Sequence, residues 1–196
     1  MTRTREFDTD KVIEAIAERF WADGYEATGI ADLVETTGVG RASLYGAFGS
    51  KREMLTLAID WYMTTRLEPM VSVVEEGGLD AAIGFLKNFT LARANIPEKA
   101  AMGCMVVNMT AELAMTDAEM PELAGAYRER LRRAFATALT SAERNGEISG
   151  PIEQKVEIAT LMTLGMFVAL RGGADLEEVA RLVDSAVEVL ESWRVN

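Results

Sequence analysis

Apolar residues recur at intervals of three and four along nearly the whole chain, and no stretch alternates with the period of two that a half-buried strand requires. Ile13, Ile16, Ala17 and Phe20 share one face of a predicted helix from about Asp10 to Asp23, stopped by Gly24. Ile30, Leu33 and Val34 mark a second over about Gly29–Thr36, with Thr28 in the N-cap position. A third covers Gly40–Phe48 with Leu44 and Phe48 inward. The fourth runs from Lys51 to about Val71, burying Leu55, Ala58, Ile59 and Tyr62, and Pro69 is expected to kink or end it. Beyond Gly77-Gly78 five further helical stretches follow, at Leu79–Asn95, Ala101–Met115, Pro121–Asn145, Pro151–Leu170 and Leu176–Trp193. Pro97, Asp117, the segment Gly146–Pro151 and Gly172-Gly173 separate them.

The expected fold is all-α with about nine helices. A small N-terminal unit occupies residues 1–53, a connecting helix and hinge residues 54–78, and a larger helical domain residues 79–196. With 49% apolar residues, a chain of 196 can bury a sizeable core.

Charge changes this picture most. The formal net charge is −11, yet Thr36–Arg52 (TTGVGRASLYGAFGSKR) holds three cations and no acid. Residues 1–52 carry seven Lys/Arg against nine Asp/Glu, and the other 144 carry thirteen against twenty-two, so most of the excess acid lies away from this segment. A purely basic stretch in an acidic chain points to an anionic partner. Its punctuation is also informative, because Thr36-Thr37-Gly38 can end one short helix and Ser50-Lys51-Arg52-Glu53 is a capping box that opens another. Two short helices across a Gly-containing turn, over about residues 29–48, read as a helix-turn-helix for DNA. On the third helix Ala42, Gly46 and partly Ser43 face outward, flanked by Arg41 and Tyr45. That row lets a helix backbone approach a groove floor, with Arg41 reaching a guanine edge or a phosphate, Ser43 and Tyr45 reaching phosphates, and Ala42 a thymine methyl. Lys51 stands where free N–H groups of the fourth helix also favour a phosphate.

Other chemistry is thinly represented. The chain has no histidine, which excludes Ser-His and Cys-His nucleophile pairs and most zinc sites. Gly46–Lys51 misses a phosphate-binding loop by one residue between its first glycine and Lys51 and by the absence of a Ser or Thr after Lys51. No enzymatic activity, cofactor or metal is expected. The single Cys104 excludes an intramolecular disulfide and suits a reducing compartment. The longest uncharged apolar run, Ile158–Leu170, is too short to span a bilayer, and the N-terminus lacks a signal-peptide apolar region, so a soluble, cytoplasmic protein without a membrane partner is expected.

Gly24-Tyr25-Glu26-Ala27-Thr28, Gly38-Val39 and Ser43–Lys51 (SLYGAFGSK) together resemble the DNA-binding signature of TetR/AcrR-type transcriptional regulators, in the right order over about Asp10–Tyr62. The resemblance implies a homodimer whose third helices enter successive major grooves of a palindromic operator on double-stranded DNA. It also implies a small-molecule effector in the C-terminal domain that changes their separation, most often to release a repressor. By position, Thr28, Arg41, Ser43, Tyr45 and Lys51 fall on the family's DNA-contacting sites. Gly40 and Ala47 depart from a usual hydroxyl residue and histidine, and Gly29 from a bulkier residue. Fewer donors remain, so the expectation is either modest affinity or sequence discrimination, or an N-terminal arm with Arg3 and Arg5 that adds minor-groove contacts.

In the C-terminal half, Leu176, Val179, Val183, Ala186, Leu190 and Trp193 form a seam at alternating spacings of three and four, and the preceding helix, with Met162, Gly165 and Met166, is apolar nearly all round. A plain intradomain core would give the same pattern. The resemblance places the dimer's four-helix bundle here. Met102, Met105 and Met109 beside Cys104, with Trp61, Phe85, Phe89 and Tyr127 as aromatic walls, are the candidate effector pocket, although each Met alone also suits a core. The segment GCMVVN around Cys104 resembles a branch of the family that includes electrophile sensors, which makes thiol sensing an alternative. No Lys or Arg lies within four positions to activate the thiol, so a structural or pocket-lining cysteine is the competing reading. A helical ligand-binding dimer without DNA activity is the other alternative.

Overall fold

The computed structural model describes residues 7–195, so the arm carrying Arg3 and Arg5 lies outside the described residues. Helix α1, Thr9–Asp23, starts where the Asp8 carboxylate accepts from the amides of Asp10 and Lys11, and it buries Val12, Ile16, Ala17 and Phe20. Helix α2, Ile30–Thr37, begins one residue later than expected. Gly29 is its N-cap, and the Asp32 carboxylate accepts from the Gly29 amide. Thr28 is instead fully buried, its hydroxyl donating to the Gly24 carbonyl at 2.6 Å. A β-branched hydroxyl residue is as well suited to closing a buried turn as to capping a helix.

Gly38, with φ of 67°, provides the left-handed turn into α3, Arg41–Phe48. Leu44 and Phe48 of α3 pack with Leu33 and Val39 into the core around α1. Helix α4, Lys51–Tyr62, opens with the reciprocal Ser50 and Glu53 capping box, and α1 packs along it. Gly49 precedes that box at φ 77°, and a Cβ there would meet the Glu53 carboxylate at 2.4 Å, so a side chain at 49 would break the cap.

Pro69 does not end the fourth helix. Helix α4 passes through a π-helical turn, Met63–Leu67, into α5, Glu68–Glu76, with Pro69 in the first turn of α5. A wider turn before the ring relieves its clash with the preceding carbonyl. The hydroxyls of Thr64 and Thr65 donate to the Asp60 and Trp61 carbonyls along the same stretch.

The remaining helices are α6 Gly78–Asn95, the one-turn α7 Pro97–Ala101, α8 Met105–Leu113, α9 Met120–Arg144, α10 Ile152–Arg171 and α11 Leu176–Glu191. If Lys51–Glu76 counts as one rod, the described residues hold nine long helices plus α7, and no strand. Helices α5, α6 and α9 pack together, α10 lies on α9, and α11 lies on α6. Arg130 of α9 ties α5 down by pairing with Glu68 at 2.6 Å and Glu75 at 2.7 Å, and it holds the Glu68 carboxyl below the usual carboxylate range.

The packing of α11 corrects the expected dimer seam. Val179, Val183, Ala186 and Leu190 are each at most 4% exposed within the single chain, in the contact with α6. Met166 is likewise buried, and Trp193 is half-buried beside Lys155. On α10 and α11 the exposed large apolar residues are Leu161 at 65%, Val168 at 59%, Ile158 and Leu182, together with Leu176, the one residue of the expected seam that stays exposed. Met162, Gly165 and Val189 edge a groove between α10 and α11 beside them.

Candidate nucleic-acid interface and the cavity behind it

The turn at Gly38 and the burial of Leu44 and Phe48 fix which side of α3 meets solvent. Arg41, Ala42, Ser43, Tyr45 and Gly46 are all exposed. A Cβ built on Gly40 or Gly46 meets nothing within 4 Å, so neither glycine answers a packing demand and the outer face is open. Arg41 lies over the Tyr45 ring, 5.8 Å from its centroid, which holds both groups at one edge of that face. Lys51 lies 4.2 Å from the centroid of the Tyr25 ring, which is itself packed on Phe20 at 5.5 Å. Among the described residues neither cation is in an ion pair with an acid. Thr28, buried as described, presents no hydroxyl to this surface.

The third cation of the acid-free stretch is spent elsewhere. Arg52 Nε and Nη2 bond the Asp117 carboxylate, Nη2 also lies 3.0 Å from Glu119, and Nη1 donates to the Thr56 hydroxyl at 2.8 Å. These hydrogen bonds are the main reason the Asp117 carboxyl sits below its ordinary range. Sequence reading missed this pairing because its partners are 65 positions apart with no local signal.

Other contacts also tie the helix-turn-helix to the rest of the chain. The Glu112 carboxylate accepts from the Tyr25 amide at 3.1 Å and the Glu26 amide at 2.6 Å. Arg171 donates to the Ala22 carbonyl at 3.1 Å, and Trp21 Nε1 donates to the Met102 carbonyl at 3.2 Å. The end of α1 and the turn after it are thus tied directly to α8 and α10.

Behind this joint lies a cavity of about 260 Å³, reached from α1, the rod Lys51–Glu76, α6, α7 and α10. Trp21, Tyr62, Phe85, Phe89 and Phe167 wall it. Their rings stack edge to face, Trp21 on Tyr62 at 5.1 Å, Phe85 on Phe89 at 5.7 Å and Phe89 on Phe167 at 5.1 Å. Of the expected pocket residues, Phe85 and Phe89 lie on this wall. Trp61 lies outside it beneath Arg66, and Met102 contributes its carbonyl to the joint rather than its side chain to the wall. Cys104, Met105 and Met109 are fully buried in the core, and Tyr127 borders a separate recess with Val107 and Leu164. Met105 and Met109 belong to the core because α8 is packed among α9, α1, α10 and α4. Burial pushes the Cys104 thiol up from its ordinary range, the opposite of what a reactive thiolate needs.

Comparison with known proteins agrees with this geometry. Residues 12–58 match the family model described as bacterial regulatory proteins, tetR family. An uncharacterized HTH-type transcriptional regulator, YezE of Bacillus subtilis (strain 168), is 27% identical over 97% of this chain and 100% of its own length. The HTH-type transcriptional repressor ComR of Escherichia coli (strain K12) is 25% identical over 95% of this chain and 90% of its own. Among solved structures, the TetR family regulator CifR in a cysteine-substituted form with a 26-base-pair operator duplex superposes with a TM-score of 0.82, at 22% identity over 95% of this chain and 98% of that one. A TetR family regulator from Cytophaga hutchinsonii gives 0.82 at 17% identity over 98% and 100%.

Proposed function

Because the chain belongs to the TetR family and is a DNA-binding transcriptional regulator rather than an enzyme, we propose that it is a homodimeric repressor released from a palindromic operator by a small molecule. The observation that carries this reading is the outer face of α3, clear of bulk at Ala42, Ser43 and Gly46 and flanked by Arg41 and Lys51, two cations that no described acid pairs. In this reading residues 1–53 bind DNA, 54–78 connect, and 79–196 hold the effector and the partner subunit. Arg41 reads a base edge, Ser43 and Tyr45 hold phosphates, Ala42 and Gly46 allow close approach, and Lys51 neutralises a phosphate at the start of α4. Thr28 acts only by holding the turn before α2.

The second copy covers the α10 and α11 surface marked by Ile158, Leu161, Val168 and Leu182, exposed apolar residues that cluster on these two helices. Two half-sites about one helical turn of DNA apart require two recognition helices. The effector occupies the cavity beside Trp21, where it meets both α1 and the rod that leads back to Ser50. It shifts operator affinity only by as much as it prefers one spacing of the two α3 helices. Such a regulator works in the cytoplasm beside the chromosome. Among the described residues no helix is long and apolar enough to cross a membrane.

The test is selection of duplexes from a random pool by the full chain, followed by anisotropy titrations on the enriched sequence. A palindromic consensus bound by a dimer is expected. Absence of any enriched sequence at low salt overturns the reading.

A further inference from the structure

The cavity wall contains two cations, Arg66 of the π-turn and Lys99 of α7, and no carboxylate. In a chain of net charge −11 that placement is selective. Both cations lean out of the cavity toward a single atom. Arg66 Nη2 lies 3.6 Å and Lys99 Nζ 3.2 Å from Oε1 of Glu18 on α1, and Arg66 is 3.9 Å from Glu14. The Arg66 separations exceed hydrogen-bond range, and among the described residues its guanidinium makes no hydrogen bond at all. It rests over the Trp61 ring at 5.1 Å.

Resting on the reading of the protein as an effector-responsive regulator, we propose that the effector is a small apolar carboxylic acid whose carboxylate replaces that of Glu18 between Arg66 and Lys99, while its body lies against Trp21, Phe85, Phe89 and Phe167. Glu18 marks where the head group goes, since its own carboxylate oxygen already sits against both cations. The cavity volume of about 260 Å³ falls just below the roughly 300–1,000 Å³ of drug-sized sites, which suits a one-ring or short-chain acid. Exchange costs little. The ties given up are part-exposed ion pairs, weak individually, whereas a carboxylate that takes two hydrogen bonds from Arg66 makes a bidentate, charge-assisted contact. The exchange frees Glu14 and Glu18, and with them the side of α1 facing the π-turn and α7. The acid thereby favours an arrangement in which α1 is no longer held at that side.

The test titrates the full chain with phenylacetate and octanoate, and with phenylacetamide and octanamide as neutral counterparts, following fluorescence of Trp21 and Trp61. Each acid is expected to bind at least about tenfold tighter than its amide, a difference of about 1.4 kcal/mol. The double variant Arg66→Gln, Lys99→Gln should erase that preference while amide binding persists, and Glu18→Gln should tighten the acids several-fold and leave the amides unchanged. Equal binding of acid and amide, a preference that survives the double variant, or no binding by any probe overturns the proposal. Release of a selected duplex, measured in parallel, separates the two levels. Acids that bind with the stated dependence but leave the DNA complex intact uphold the carboxylate site and overturn the effector reading. Release by neutral compounds alone upholds that reading and overturns the acid.

Discussion

Helix α3 and the pair α10 and α11 expose opposite kinds of surface. On α3 the outward residues are small or polar, with cations at the rim; on α10 they include Leu161, Val168 and Ile158 in a stretch with no charged residue between Glu157 and Arg171, and Leu182 of α11 stands exposed beside them. The first surface offers little apolar area to bury and much to neutralise, which suits a polyanion. The second offers the reverse, which suits another copy of itself. What a helix leaves uncovered after folding, rather than the strength of its periodicity, decides its partner.

The sharpest way to break this comparison is a pair of charges on neighbouring faces. Val183→Glu places an unpaired carboxylate in the α11 and α6 core, at a cost of several kcal/mol. Against a total stability of roughly 5–15 kcal/mol that should unfold much of the protein, seen as lost helical circular dichroism at 25 °C. Leu161→Glu, on the exposed face, should leave the subunit helical and yield a monomer by sedimentation, with operator affinity reduced roughly 10²- to 10⁴-fold through loss of bivalency. A folded Val183→Glu monomer, or a Leu161→Glu dimer, would reverse the assignment of the two faces.

Smaller effects sharpen the α3 side. Arg41→Ala should cost roughly 1–3 kcal/mol at one base-pair position and relax selectivity there, whereas Lys51→Ala should weaken all sequences alike and flatten the salt slope by about one unit. Anisotropy against salt on the selected duplex and its single-position variants tells them apart, and identical behaviour of the two variants would put them in the same role. The smallest effect concerns Arg52. Because the Asp117 carboxyl is held below its ordinary range, chiefly by hydrogen bonds from Arg52, its contribution to stability is full above the unfolded carboxyl pKa of about 3.9 and is lost as pH falls through the lower folded value. Asp117→Asn should therefore remove a small acid-side component from the pH dependence of thermal stability. Superimposable profiles would mean the pair contributes nothing.

The helices themselves were legible because their apolar faces follow a period that local chain geometry dictates, and the open face of α3 followed from Leu44 and Phe48 alone. Partners were not legible. The stripe Val179, Val183, Ala186 and Leu190 announces a buried face but carries no mark of whether α6 or a second subunit buries it. Arg52 reads as one more cation until Asp117 is brought beside it. Thr28 satisfies the composition of a cap, yet one residue of register puts Gly29 in that place. For the cavity, the Met stripe drew attention to α8, whereas the wall is assembled from single aromatic residues on α1, α4, α6 and α10 whose convergence no spacing encodes.

One consequence concerns how such a protein changes over evolutionary time. Two of the grips that hold the helix-turn-helix, Glu112 on the amides of Tyr25 and Glu26 and Arg171 on the carbonyls of Trp21 and Ala22, engage main-chain atoms only. That part of the joint is written on one side. Side chains at residues 22 and 26 can drift without loosening it, and a foreign DNA-reading head with the same turn would be held by the same two side chains. Side chains on the outer face of α3 can thus change operator preference without loosening that part of the joint.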